Sequence, residues 1–405
     1  MEYTNKEKEK MAEKELNKIV DELDKDDLPT ANIMVAGITG TGKSTLLNAV
    51  FGSDLAETGK GRPVTEQIDE YKNPDIPIHI WDTVGLELDS EKTKESIKGI
   101  RQKIADKANT KDQFDRIHAI WYCINSGSSR YQGAELDFIE NLHSVGVPFI
   151  IVLTQCIGDE DEINAFEAKI REINRTKKMS DIDIVQVCAK DFKARGFTIP
   201  AFGLDRLVEA TLEKMPTFVK SGFIAAQKVS KSKKREESED IIYSYVKASK
   251  EGLWDKIAIA NVFSANSKVR NMYKKIGKMY NTEISEEGIE NLTKTIGTGI
   301  HAKDTVLGII SPIDFGHRYS KKILGELNYK KNFGFSVDVK KELTEKDRVA
   351  LVIAMYGYTF IEAIEEVWEI LTETQLKNVD MVCRELMASI NKKLEERRSK
   401  KRRSK

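Results

Sequence analysis

The segment Gly37-Ile38-Thr39-Gly40-Thr41-Gly42-Lys43-Ser44 constrains this chain more than any other. It fits the pattern GxxxxGK[ST]. The apolar run Ile33-Met34-Val35-Ala36 precedes it and the helical stretch Ser44–Phe51 follows it, ended by Gly52. A short apolar run that stops at glycine reads as a buried strand, so the order is strand, glycine-rich turn, helix. Glycines let several main-chain N–H groups turn toward one small volume, and the next helix presents its positive end there. Lys43 reaches terminal phosphates and the Ser44 hydroxyl ligates magnesium. That donor set calls for a polyphosphate and its divalent cation. The loop alone does not separate GTPases from ATPases or kinases.

Five further strand signals follow. Gln67–Tyr71 and Ile76–Trp81 flank a turn at Asn73-Pro74-Asp75 and read as a hairpin; Ile117–Ile124, Pro148–Leu153 and Ile182–Val187 come later. Charged helical segments separate them. Six strands alternating with helices predict an α/β fold, a mostly parallel six-stranded sheet with helices on both faces. The character changes after Pro216. Val269, Met272, Ile276 and Met279 recur at helical spacing, as do Val349, Val352, Met355, Ile364, Val367, Trp368 and Leu371, so an all-α domain is expected. The predicted organisation is a charged amphipathic helix over 1–30, a nucleotide-binding domain over 31–215, a helical domain over 216–391 and a basic tail over 392–405. The charged stretch Lys228–Asp240 reads as an exposed helix or linker.

A chain of 405 residues suits two or three domains. Its 65 Lys+Arg and 65 Asp+Glu leave no net charge, which argues against a chain-wide electrostatic footprint for nucleic acid. The tail still concentrates basic residues, and contact with an anionic membrane or with RNA is the expectation there. The most apolar run, Val349–Ile361, is shorter than the roughly 20 residues of a membrane-spanning helix. The apolar segment 308–313, interrupted by Pro312, reads either as bundle packing or as a shallow membrane insertion. The four cysteines have no metal-like spacing and the five histidines are isolated. A reduced cytoplasmic protein, peripheral at a membrane if the tail binds one, is the expected setting.

Two downstream signals narrow the chemistry. Asp82-Thr83-Val84-Gly85 ends the third predicted strand, 39 residues after Lys43. An acid there holds magnesium through water, and the glycine offers its N–H to a γ-phosphate. Between them, Gly59–Thr65 is a polar loop whose threonine, Thr65, can close on magnesium.

On these residues the chain from about Ala31 to Met215 resembles translation-factor-type G domains, the Era/MnmE-like (ribosome-binding GTPase) group above all, with features of immunity-related and dynamin-like GTPases. The resemblance implies that Gly37–Thr45, Asp82 and Gly85 bind GTP or GDP with magnesium. It implies metal ligation by Ser44, Thr65 and Asp82, and catalysis by Lys43, Thr65 and Gly85. Thr154 and Gln155 fall at its base-recognition element, and Cys188-Ala189-Lys190 at the turn whose backbone touches the guanine oxygen. Three positions depart from the pattern. The base element reads Thr154-Gln155-Cys156-Ile157, with no aspartate at its fourth place; Asp159 serves if the loop bulges. Leu86 stands where many switch GTPases carry glutamine. Gly40 stands where potassium-using members carry asparagine.

The reading is a GTP hydrolase that passes its nucleotide state to a helical effector domain and an unknown protein effector. A GTP-gated scaffold with little turnover and an ATPase with relaxed base specificity stay open beside it. Arg62 and Arg130 are candidates for an arginine finger, in cis or across a homodimer formed through the G domain.

Overall fold

The computed structural model describes residues 28–52, 62–65, 68–72, 76–83, 91–108, 110–128, 131, 133–194, 196–250, 267–301 and 345–403. The helix expected within 1–30 and the 308–313 segment lie outside them. The chain divides into two compact units, Leu28–Lys231 and a second that runs over Ser232–Lys405.

In the first unit, β1 (Ala31–Gly37) is buried along its whole length. Burial on both faces explains why it reads as a continuous apolar run. The glycine-rich turn leads into α1 (Lys43–Phe51), and β2 (Arg62–Thr65), β3 (Ile68–Lys72) and β4 (Ile78–Thr83) follow. Next come α2 (Glu91–Ala108), β5 (Ala119–Asn125), α3 (Ala134–His143), β6 (Phe149–Thr154), α4 (Glu160–Thr176) and β7 (Asp183–Gln186). The sheet order is β2-β3-β4-β1-β5-β6-β7. The five strands from β4 to β7 are parallel, and β3 runs antiparallel to β4. These are the six expected strands. A short seventh, β2, adds antiparallel to β3 at the edge, where the sequence suggests only a loop. Four residues are too few to show an alternation, so backbone pairing alone reveals it.

The register places the chemistry at one end of the sheet. Val35 pairs with Asp82, Gly37 with Cys123 and Asn125 with Thr154. The carboxyl ends of the central parallel strands therefore gather around the loop after β1, the edge where open α/β sheets bind ligands. Trp121 and Tyr122, read as core, are fully buried. His118 is packed too: its Nδ1 accepts from Asn32 N at 2.9 Å.

The unit closes with a small hairpin, β8 (Phe192–Ala194) and β9 (Phe197–Ile199), then α5 (Leu204–Lys214) and α6 (Lys220–Ala226). The boundary expected at 215/216 falls instead at 231/232, because α6 completes the core of the first unit. Phe223 meets Phe51 and Trp121 edge-on at 6.0 and 6.3 Å, and Phe51 stacks on Trp121 at 5.8 Å. The Trp121 indole donates to Thr211 Oγ1 at 3.0 Å, tying β5 to α5.

The second unit is helical in its described residues: α7 (Lys231–Lys250), α8 (Ser267–Met279), α9 (Glu286–His301), α10 (Glu345–Ile370), the one-turn α11 (Glu373–Leu376) and α12 (Val379–Arg403). Val269, Met272, Ile276, Met279, Ile364 and Val367 are buried as their spacing predicts. The run 228–240 is not the solvated linker its charge suggests. Lys234 is fully buried and donates to Met279 O at 2.6 Å. Arg235 pairs with Glu365 at 2.6 Å, and the Tyr280 hydroxyl donates to the same carboxylate at 3.3 Å. One face of a charged helix is thus spent on buried, hydrogen-bonded pairs, which burial tolerates only when satisfied. The basic stretch expected as a tail from Lys392 continues α12 to Arg403. No helix of the described residues is long and apolar enough to cross a membrane.

Truncating Phe223 removes the ring that closes the aromatic cluster. Phe223→Ala is expected to lower stability by about 3–5 kcal/mol in urea unfolding, as phenylalanine deletions in packed cores do. A change below about 1 kcal/mol, the scale of an ordinary surface substitution, would place α6 outside this core.

Candidate functional site

The loop after β1 must turn its N–H groups inward, so its carbonyl oxygens need donors elsewhere. Each described partner is in place. Lys43 Nζ donates to Gly37 O at 3.0 Å and to Ile38 O at 3.4 Å. Ile38 O also accepts from Thr41 N at 3.3 Å and from Thr41 Oγ1 at 2.9 Å. Gln155 Nε2 donates to Gly40 O at 3.0 Å, and Thr154 Oγ1 donates to Thr41 O. Leu46 N donates to Gly42 O at 2.9 Å, which makes it the first intrahelical bond of α1. The N–H groups of Gly42, Lys43, Ser44 and Thr45 precede that bond, and a helix start leaves such groups without an intrahelical acceptor.

Two glycines are required by geometry. Gly37 has φ of 148°, and a Cβ there would stand 2.5 Å from the Cys123 carbonyl oxygen of β5. Gly42 caps α1 at φ of 86°, with the Gln155 side chain 3.6 Å from where its Cβ would be. Lys43 is buried with its ammonium against the loop, whereas Ser44 and Thr45 are exposed at the helix start. Thr39 and Gly40 are exposed at the tip.

Asp82 lies near the end of β4, beside β1. Its charge and that of Lys43 are both felt at Cys123: burial pushes that thiol up to about 12, Lys43 opposes the rise and Asp82 adds to it. An inert, protonated thiol between them is the result. Thr65 is the last residue of β2, its backbone paired with Ile68. Gly85, Leu86 and Arg130 lie outside the described residues. Ser44 and Asp82 offer only oxygen ligands, a hydroxyl and a carboxylate, which suits a hard divalent cation that keeps much of its water. That donor set fits magnesium.

On the far side of the loop, the base element is built differently from its pattern. Gln155 adopts a left-handed backbone at φ of 52°, held by Ser126 Oγ donating to its carbonyl at 2.9 Å. This turn aims its amide at Gly40. Cys156 is buried, its N donating to Val187 O at 3.2 Å and its Sγ to Leu153 O. Asp159 is the N-cap of α4, its Oδ1 accepting from Asp161 N and Glu162 N. Cys188 forms an isolated antiparallel bridge with Phe202, their N–H groups and carbonyls exchanging bonds of 3.1 and 3.0 Å. Ala189 is half-buried and Lys190 exposed beyond it. Neither Ser126 nor Phe202 has a local sequence signal for this role, since both act across long separations.

Residues 32–155 match the model of the family described as 50S ribosome-binding GTPase. The chain carries a GTPase-family G domain. Two mouse proteins are similar to it. Interferon-gamma-inducible GTPase 10 is 26% identical over 208 residues, 48% of this chain and 46% of its own length. Interferon-inducible GTPase 1 is 24% identical over 187 residues, 45% and 41% respectively. The chain thus spans a little under half the length of these curated relatives. Among solved structures, Era from Aquifex aeolicus matches at 15% identity and a TM-score of 0.31, over 55% of this chain and 68% of that one. The G domain of the T. maritima FeoB iron transporter matches at 17% and 0.30, over 46% and 98%. The matched residues include the loop after β1.

The Gly37 geometry gives a direct test. Gly37→Ala sets a methyl group against the β5 carbonyl at a φ that L-residues rarely adopt. It is expected to abolish binding of a fluorescent GTP analogue, while circular dichroism still reports a folded chain. Retained affinity would mean the loop geometry is not what binds.

Proposed function

We infer that the protein hydrolyses GTP to GDP and phosphate with magnesium and passes its nucleotide state to the helical unit. The observation that carries this reading is the outward pinning of the loop carbonyls by Lys43, Thr41, Gln155 and Thr154, which leaves the amide side of the loop to a polyphosphate.

The transfer is in line, from the γ-phosphoryl group to water. Charge builds on the β–γ bridge and the γ oxygens, and fixed donors aimed there lower the barrier. In this reading the Lys43 ammonium leaves the Gly37 carbonyl for those oxygens, and the amides of Gly42–Thr45 cradle the β-phosphate. Ser44 and Asp82 would hold magnesium, with Thr65 as a further ligand from β2. Magnesium, when bound, supplies neutralising charge at the phosphate oxygens. The Thr65 carbonyl and the Gly85 N–H orient the attacking water. Leu86, next in sequence, is a hydrocarbon and cannot do so. Without a glutamine there and without an assigned finger, intrinsic turnover on the order of 10⁻⁴–10⁻² per second is expected.

Phosphate release from GTP, measured with magnesium and with excess chelator, tests the reading. Slow release that needs magnesium and vanishes in Lys43→Ala supports it. A magnesium-independent rate, or an unchanged rate in Lys43→Ala, contradicts it.

A further inference from the structure

The base side of the pocket departs from what guanine selection needs. Reading the 2-amino group of guanine takes an acceptor, and strict selection takes a carboxylate that an amine-free base would leave unpaired. The element after β6 supplies none. Its first two side chains are already committed: Thr154 to the carbonyl of Thr41 and Gln155 to that of Gly40. The third, Cys156, is buried and points its thiol at Leu153 O. The fourth, Ile157, is a half-buried hydrocarbon whose N–H closes a tight turn onto Gln155 O at 2.8 Å.

Other carboxylates of the neighbourhood have their own work. Asp159, two residues on and past Gly158, spends Oδ1 on two amides of α4 at 3.0 and 3.2 Å. The cap uses Oδ1 alone, and the Asp159→Ala variant below tests whether Oδ2 reaches a base. Glu160, Asp161 and Glu162 form the first turn of α4 on its exposed side. Asp191 Oδ1 accepts from Ala201 N at 2.9 Å, which braces the β8–β9 hairpin. The turn at Cys188, where the resemblance implies main-chain contact with a base, is fixed by its pairing to Phe202.

We propose that this site does not read the 2-position of the purine, so that it takes inosine triphosphate about as well as GTP. The proposal rests on the nucleotide site inferred above and names the ligand class it accepts: 6-oxopurine triphosphates held by their phosphates and by apolar contact with the Gln155 stem and Ile157. Selection by an unpaired carboxylate would produce large ratios, and residues 154–157 carry none.

Competition of labelled GTP by unlabelled ITP and GTP, on the full chain with magnesium, tests this. Affinities within about tenfold of each other are expected for the natural chain, against ratios of about 10⁴ where a site is built on such bonds. Ile157→Asp restores the acceptor and is expected to raise the GTP-over-ITP ratio by about tenfold or more. Asp159→Ala is expected to leave the ratio of the natural chain unchanged. A natural ratio above tenfold overturns the proposal, and its collapse in Asp159→Ala would identify Asp159 as the acceptor. An unchanged ratio in a GTP-binding Ile157→Asp variant also overturns it, since the base would then lie away from residue 157. If the natural chain binds neither triphosphate, or Lys43→Ala binds as well as it does, the nucleotide site itself fails and this proposal with it.

Discussion

A loop can point its amides at an anion only if its carbonyls are accepted somewhere else. That constraint organises the whole first unit. Five loop carbonyls, from Gly37 to Gly42, are taken by a lysine, a threonine of the loop itself, a helix amide and two side chains of β6 and its following turn. An unsatisfied buried carbonyl costs about 1–3 kcal/mol, so the buried Thr154–Thr41 contact braces the loop, while the Gln155–Gly40 contact is exposed. The parallel sheet matters because it brings β6 within reach of the loop after β1 with β5 between them. Thr154 and Gln155 then act on Thr41 and Gly40 across more than a hundred residues of sequence.

The same arrangement bears on what the site can discriminate. Residues that hold the loop are the first two of the base element. The third is built into the core through Val187 and Leu153, and the fourth is apolar. Phosphate binding and base reading thus draw on adjoining residues. In this chain Thr154 and Gln155 donate to the loop carbonyls, while Cys156 and Ile157 offer no carboxylate. The family match ends at Gln155, the last residue that supports the loop.

Much of this was legible in the sequence, for physical reasons that can be named. β1, β5 and β6 announce themselves because burial on both faces demands uninterrupted apolar, β-branched runs, whereas β3 shows mainly through the turn that pairs it with β4. The loop announces itself because its glycines are sterically required, as Gly37 shows against Cys123. What stayed hidden depends on partners far away in the chain. β2 has four residues and no pattern. The end of the first unit lies past Pro216 because Phe223 fills a gap beside Trp121, which no local signal announces. Lys234 looks solvated in a run of charges, yet its ammonium is buried on a helix-end carbonyl. Asp159 looks like a spare base acceptor, and its geometry is that of a helix cap.

Amide hydrogen exchange on the full chain, with and without a non-hydrolysable GTP analogue and magnesium, tests the central claim most directly. Peptides covering 37–46 should slow markedly on binding, with a smaller slowing over 154–157, because the analogue completes the amide side of a loop already braced from behind. Exchange in 37–46 that is unchanged at saturating analogue would show that these amides do not hold the phosphates, and the account would be wrong.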